Sequence, residues 1–289
     1  MNSLLVVVPR FAESSEPVFR ALRLTIAPQL LKRNLNMKKL ILAASLMLGC
    51  GVSAIAEDWG TISGQVVVTG DIPAPMLLHA KGAQVKDAAV CAAADTYKDD
   101  LIIDADSRGL ANVFIYLPKA PKNIHPDSKK PDPAVVIFDQ KGCMFTPHAM
   151  VVLGGQTVEV ISSDPIAHNT HTYPLKNQAM NVLIAPSTPA GKGMSVDYKI
   201  GESLPLKVAC DFHPWMQAYW MVVDHPYAAV TDKDGKFSIP NLPVGEHEFR
   251  VWHERKGYLE RKYSVKVQKG DNELKPIEVK IADLKGDGK

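Results

Sequence analysis

Apolar and polar residues alternate in short, closely spaced runs along most of the chain. "TISGQVVV", "LANVFIYL", "AVVIFD", "HAMVVL", "TVEVIS", "LKVAC", "YWMVV", "KFSI", "HEFRVW" and "YSVKV" are each rich in Val, Ile, Phe or Tyr. Clusters of Gly, Pro, Asp and Asn separate them. A period of two bounded by turn residues predicts half-buried strands. No window keeps a helical period for three turns, and only "AQVKDAAVCAAADT" hints at one. The pattern predicts an all-β chain folded as sandwiches.

Two breaks divide the pattern. "YLPKAPKNIHPDSKKPDP", residues 116–133, is crowded with Pro and Lys and reads as an exposed connector; a second boundary falls in "VVDHPYAAVTD". Ahead of the strands, "MKKLILAASLMLGCGVSAIA", residues 37–56, has the basic start, apolar run and small residues of a secretory signal. Its apolar run is too short for a comfortable membrane span, so no stable span is expected after cleavage, and the mature chain is expected in the periplasm or secreted. Residues 1–36 precede a second good start at Met37 and read as an upstream extension.

That division changes the charge. The whole chain of 289 residues carries a formal net charge of +2, but residues 1–56 hold seven Lys or Arg and two Asp or Glu. The remaining 233 residues carry 26 basic and 29 acidic side chains, a net of −3. The basic balance belongs to the leader, and nothing predicts nucleic-acid binding. A chain of that length fits one large or two small domains. It keeps three cysteines, Cys91, Cys143 and Cys210; in an oxidising compartment two can pair, and the third needs a reason.

"CDFHPWM", residues 210–216, places a thiol, an imidazole and a thioether at three-residue steps: Cys210, His213 and Met216. Pro214 favours a tight loop, which suits convergence on one ion better than a nucleophile and its base. Haem attachment needs a second cysteine before the histidine, and tetrahedral zinc sites use paired short spacings that are absent. Thiolate, imidazole and thioether are the donors of a His₂Cys copper site with a weak axial Met, given one more histidine. "SSDPIAHNTHT" offers two, His168 and His171.

At this point the motifs resemble a known family. "AHN" upstream and "C-x-x-H-P-x-M" downstream look like the two copper-binding segments of cupredoxins, the type 1 blue-copper proteins, and most resemble the amicyanin and plastocyanin branch. "MFTPHAMVVLGGQTVEVISSD" is similar to the strand pair that precedes that family's first histidine ligand. The likeness covers roughly residues 134–224. It implies His168, Cys210 and His213 as trigonal copper ligands, Met216 as the axial one, one-electron transfer as the activity, and a redox protein as partner. His168 is selected over His171 because it directly precedes an Asn; in an extended stretch only one of the two rings faces the site. One departure is Ser162-Ser163-Asp164, where the family often has an Asn whose hydrogen bond helps tie the two ligand loops together.

With Cys210 assigned to copper, Cys91 and Cys143 are expected to form a disulfide. The competing reading gives Cys143 a metal role with His148, and the two exclude each other. The flanks resemble a carboxypeptidase regulatory-like, transthyretin-type sandwich: "GTISGQVVVTG" an opening strand, "GLANVFIYL" a third, and "VTDKDGKFSIPNLPVGEHEFRVWHERKGY" the later turns and strands. The expected fold is therefore a cupredoxin-like Greek-key β-sandwich at 134–224 plus a second Ig or transthyretin-like sandwich, split between 58–118 and 225–282, or two modules in series. The expected function is an exported electron carrier and not an enzyme; the alternatives are a copper-handling or storage module and, from another class, a Cys-His enzyme for which only Asp211 offers an orienting carboxylate.

Overall fold

The computed structural model describes residues 58–284; the expected leader and upstream extension lie outside them. The first stretch holds β1 (Trp59–Thr69), β2 (Leu77–His79), the short helix α1 (Ala88–Cys91), β3 (Thr96–Tyr97) and β4 (Phe114–Tyr116). Next come β5 (Val135–Lys141), β6 (Met144–Thr146), β7 (Ala149–Leu153), β8 (Thr157–Ser162), β9 (His168–Tyr173), β10 (Asn181–Ile184), β11 (Met194–Asp197), β12 (Leu206–Ala209) and β13 (Gln217–Val223). The chain continues through β14 (Ala228–Val230), β15 (Lys236–Pro243), β16 (Gly245–His253), β17 (Gly257–Val267), β18 (Gly270–Glu273) and β19 (Ile277–Lys280).

The chain is all-β and forms two double-layered sandwiches. In the central one, a sheet ordered β10-β9-β12-β13-β7 faces a sheet ordered β11-β8-β5-β6. The pairs β13/β7 and β5/β8 run parallel, and the other pairs in these two sheets run antiparallel. Phe138, Val158 and Val196 from one sheet meet Val208, Trp220 and Val222 from the other in one buried cluster, which also contains Cys91, Cys143, Cys210 and Met216. Alternation does the sorting here: in β12, Leu206 and Val208 point inward while Lys207 and Ala209 are less buried.

The flanking sandwich is assembled from both ends of the described chain. Strand β1 pairs antiparallel with β15 and parallel with β18 and β19. The opposite layer is ordered β14-β4-β16-β17, so β4 also pairs with strands that follow the central sandwich. Ile62 and Val66 of β1, Ile115 of β4, Phe249 and Val251 of β16 and Ile277 of β19 share its core. The central sandwich leaves and rejoins this frame at one place, where Leu117 N donates to Tyr227 O at 3.1 Å and Tyr116 is registered against Ala228. A third buried cluster joins the two: Phe114, Tyr116 and Trp252 pack against Ala149, Met221 and Val223.

Close backbone approach fixes one glycine. Gly109 lies where the Asp234-Gly235 turn crosses it, and a Cβ there would sit 1.9 Å from Asp234 O. The helical hint at residues 83–96 yields only the single turn α1, because Asp87 ahead of it adopts a left-handed conformation (φ 53°, ψ 40°) and Cys91 is drawn into the core. Among the described residues no helix is long and apolar enough to cross a membrane.

Candidate metal centre

Cys210 follows the last residue of β12, and the loop to β13 closes on itself: Met216 N donates to His213 O at 2.9 Å, and Cys210 N to Met216 O at 3.2 Å. This loop turns all three donor-bearing residues inward; Cys210, His213 and Met216 are fully buried or nearly so. His168 opens β9, next to β12, and is also fully buried. Its ring meets that of His213 with Nδ1 to Nδ1 at 3.0 Å, and Cys210 Sγ lies 4.0 Å from His168 Nδ1 and 3.7 Å from His213 Nδ1. An ion about 2.0–2.1 Å from each nitrogen and about 2.3 Å from sulfur, at angles between about 109° and 120°, needs roughly 3.3–3.6 Å between nitrogens and 3.6–3.8 Å from nitrogen to sulfur. The three donors stand within a few tenths of an ångström of that arrangement. Met216 shares their core cluster.

Each imidazole has its far nitrogen occupied by a carboxylate. His168 Nε2 meets Asp164 Oδ2 at 2.9 Å, and His213 Nε2 meets Asp87 Oδ2 at 2.9 Å. Such partners place the proton on Nε2 and leave the Nδ1 lone pair facing the centre, which fixes tautomer and ring orientation together. Asp164 is itself held by the tight turn between β5 and β6, where Gly142 and Cys143 both have positive φ. Gly142 N donates to Asp164 Oδ1 at 2.6 Å and Cys143 N to Oδ2 at 2.8 Å. Burial pushes its carboxyl up, but the His168 ring, followed by these two N–H donors, outweighs it and holds the carboxyl below the usual range.

Without metal the cluster is an acid–base set. Burial pushes the His168 imidazole down, but Asp164 and Cys210 outweigh it and raise it to about 9. Burial likewise pushes the Cys210 thiol up, but His168 and hydrogen bonds at Asn169, His213 and Phe212 outweigh it and hold the thiol below its ordinary range. His213 is lowered, by burial and by the charge on His168, against the pull of Asp87. A soft cation bound here would displace the protons of this set, since its ligands bind deprotonated.

His171 takes a different place. It is one face away on β9, partly exposed, 3.2 Å from Asp211 Oδ1 and 3.0 Å from Tyr173 OH. Asn169 joins the two donor-bearing segments: its Oδ1 accepts from Asp211 N at 2.7 Å and from Cys210 Sγ at 3.3 Å, while its Nδ2 donates to Asp211 Oδ2 at 2.9 Å. The tie between loops, in doubt at Ser162-Ser163-Asp164, is thus made by the residue after His168.

Cys91 and Cys143 are joined as a disulfide. His148 stands apart from it, with Nδ1 2.9 Å from Asp99 Oδ2 and Nε2 in a short contact with Glu254 Oε1. Burial pushes this imidazole down, but Asp99 and Glu254 prevail and raise it to about 10, so it stands as an imidazolium between two carboxylates. The clasp links three segments: Asp99 precedes β4, His148 precedes β7, and Glu254 follows β16.

Sequence reasoning did not find Asp87 or the carboxylate role of Asp164. Asp164 carried a signal, lying four residues before a histidine in a segment already singled out. Asp87 carried none, since its approach depends on where the Cys91–Cys143 disulfide pins the segment.

No family model matches the chain, and no curated protein matches it. Among solved structures, a purple cupredoxin from Nitrosopumilus maritimus is similar over 30% of this chain and 99% of its own, at 15% identity and a TM-score of 0.25. Amicyanin from Paracoccus versutus is similar over 38% of this chain and 97% of its own, at 13% identity and a TM-score of 0.26. A Cu-containing nitrite reductase from Thermus scotoductus SA-01 is similar over 30% of this chain at 15% identity and a TM-score of 0.27, and the likeness spans 22% of that reductase chain.

Proposed function

We propose that the chain is an exported copper protein whose central sandwich holds a type 1 copper site, with His168, Cys210 and His213 as trigonal ligands and Met216 as the axial one, and that it carries single electrons to or from a protein partner. The observation that carries this reading is the convergence of one thiol and two imidazole Nδ1 atoms, all buried and within 4.8 Å of one another, with a buried thioether on the same loop. The donor set fits: softness selects a thiophilic metal, and a His₂Cys set with a distant Met is the combination that copper electron carriers use. Bound copper would supply a one-electron couple between Cu(II) and Cu(I).

The chain's own residues do the rest. Strand β12 anchors Cys210 and strand β9 anchors His168, so the two are held across a pair of hydrogen-bonded strands. Asp164 and Asp87 orient the imidazoles, Asn169 ties the segments, and Trp220, Val208 and Phe138 pack the sandwich core beneath the site. Such a site moves little between oxidation states, because its ligands are placed before metal arrives. The flanking strands are read as one transthyretin-type sandwich interrupted by the metal domain, an architecture that joins an electron carrier to a module for docking.

Copper-loaded protein should show an intense blue or green thiolate charge-transfer band. Cys210→Ser and His168→Ala should each abolish it, while His171→Ala should leave it nearly unchanged. Retention of the band in Cys210→Ser, or its loss in His171→Ala with retention in His168→Ala, overturns the ligand set.

A further inference from the structure

The edge of His213 is covered by chain that belongs to neither layer of the central sandwich. Residues 77–97 leave the flanking region as a small antiparallel pair, with Leu77 registered against Tyr97, and the intervening segment reaches over the metal loop. Four contacts hold it there. Asp87 Oδ2 meets His213 Nε2 at 2.9 Å, Lys86 Nζ stands 4.6 Å over the Phe212 ring, and the His79 ring packs edge-on against Trp215 at 4.5 Å. The fourth is covalent: Cys91 is bonded to Cys143, and both sulfurs lie within 4.8 Å of a His213 ring nitrogen. Val85 and Val90 pack against the core of the central sandwich from this side. The result is a ligand histidine with no solvent exposure.

We propose that Asp87 is a positioning residue of the metal centre, delivered to His213 by a strap that the Cys91–Cys143 disulfide latches in place. The inference rests on the copper reading above. His213 has no other polar partner at Nε2 among the described contacts, so its tautomer and ring orientation depend on a carboxylate 126 residues away in sequence. His168 is served from within its own domain by Asp164, four residues away. The two imidazoles therefore differ in how they are held: one by a carboxylate four residues away, the other by a segment tied on through the Cys91–Cys143 disulfide. A carboxylate on Nε2 raises the donor strength of Nδ1 and favours the more highly charged oxidation state of the metal.

The experiment uses the full mature chain with Asp87→Asn and Asp87→Glu, loaded with copper, and reads the charge-transfer spectrum, the reduction potential, and the rate of copper loss to a chelator. Asp87→Asn is expected to weaken copper affinity and speed its loss about 10–100-fold, with a shifted band and a raised potential, and Asp87→Glu to recover part of each. The Cys91→Ser/Cys143→Ser double variant should likewise release copper faster. Loss rate, band and potential all within twofold or unmoved in Asp87→Asn overturn the proposal, as does a lowered thermal stability with an unchanged potential and band. Wild-type protein that shows no thiolate band fails at the copper reading and removes the basis of this proposal with it; a wild type with the band and an indifferent Asp87→Asn overturns this proposal alone.

Discussion

Replacing His148 with alanine takes one cation out of a buried set and leaves two carboxylates facing each other. His148 and Glu254 side chains are 7% and 10% exposed and Asp99 22%, so water compensates little. The imidazole stands at about 10 in the folded chain against 6.5 when free. At 1.36 kcal/mol for each pH unit between those values, the ceiling on its contribution is about 4–5 kcal/mol. Glu254 reduces this, because burial pushes its own carboxyl up even with His148 beside it, so keeping it ionised costs part of the gain. About 3 kcal/mol remains, at the low end of what breaking a buried ion pair costs. For a chain of this size that is a fall in Tm of about 6–12 °C. The sign of the pH dependence follows from the raised value: the stabilisation is complete below about 6.5 and disappears as pH rises through about 10. Urea unfolding of metal-free wild type and His148→Ala at pH 7 and pH 10 measures it, and the titration of His168 cancels in the difference. The gap between the two proteins should be fullest at about pH 6.5 and below, slightly smaller at pH 7, and should close toward pH 10. A gap below 1 kcal/mol at pH 7, or one that widens with pH, refutes the imidazolium clasp. Adding Glu254→Gln to His148→Ala should recover part of the loss, since a lone buried charge is then removed.

Met216→Leu should keep copper and colour but raise the reduction potential measured by voltammetry, because loss of a weak axial donor from a buried position disfavours Cu(II) more than Cu(I); an unchanged potential would mean that Met216 does not approach the metal. Gly109→Ala should destabilise the chain by about 2–3 kcal/mol in chemical denaturation, since the new Cβ would stand 1.9 Å from a backbone oxygen that cannot swing aside; stability within 0.5 kcal/mol of wild type would show that the turn shifts freely.

Strands with clear alternation were legible in the sequence, and so was the loop that gathers Cys210, His213 and Met216. "CDFHPWM" concentrates three donors within seven residues, and a spacing that local can be read without knowing the fold. Strand geometry expects His168 and His171 on different faces, and in β9 one is buried and the other partly exposed. Three kinds of feature were not legible. Weakly alternating strands such as β10 and β11 are short and sit at sheet edges, where exposed Leu183 and Met194 blur the pattern. That the early strands share a sandwich with the late ones was legible only through the resemblance of the flanking motifs; the particular partners of β1, namely β15, β18 and β19, depend on contacts between distant ends of the chain, which no local window contains. Asp87 acts through a disulfide whose partner lies 52 residues on, so neither its neighbours nor its spacing mark it.

The interruption of the flanking sandwich sets an order in time. Gln65 of β1 hydrogen-bonds to Asp234, 169 residues later, and at about 5–20 residues per second that much chain takes roughly 10–30 s to synthesise. Strands β5 to β13 are contiguous, so the central sandwich can close while β1 has only residues 108–110 beside its C-terminal end, through Val68 N to Arg108 O and Leu110 N to Val66 O at 2.9 Å each, and none of its partner strands β15, β18 and β19. For that interval the Ile62 end of β1 lies open on both edges, the kind of strand that pairs with other chains. The last strands made therefore complete the first, and a truncation that spares every donor of the candidate metal centre but removes β15 to β19 would leave most of the earliest strand without its partner strands.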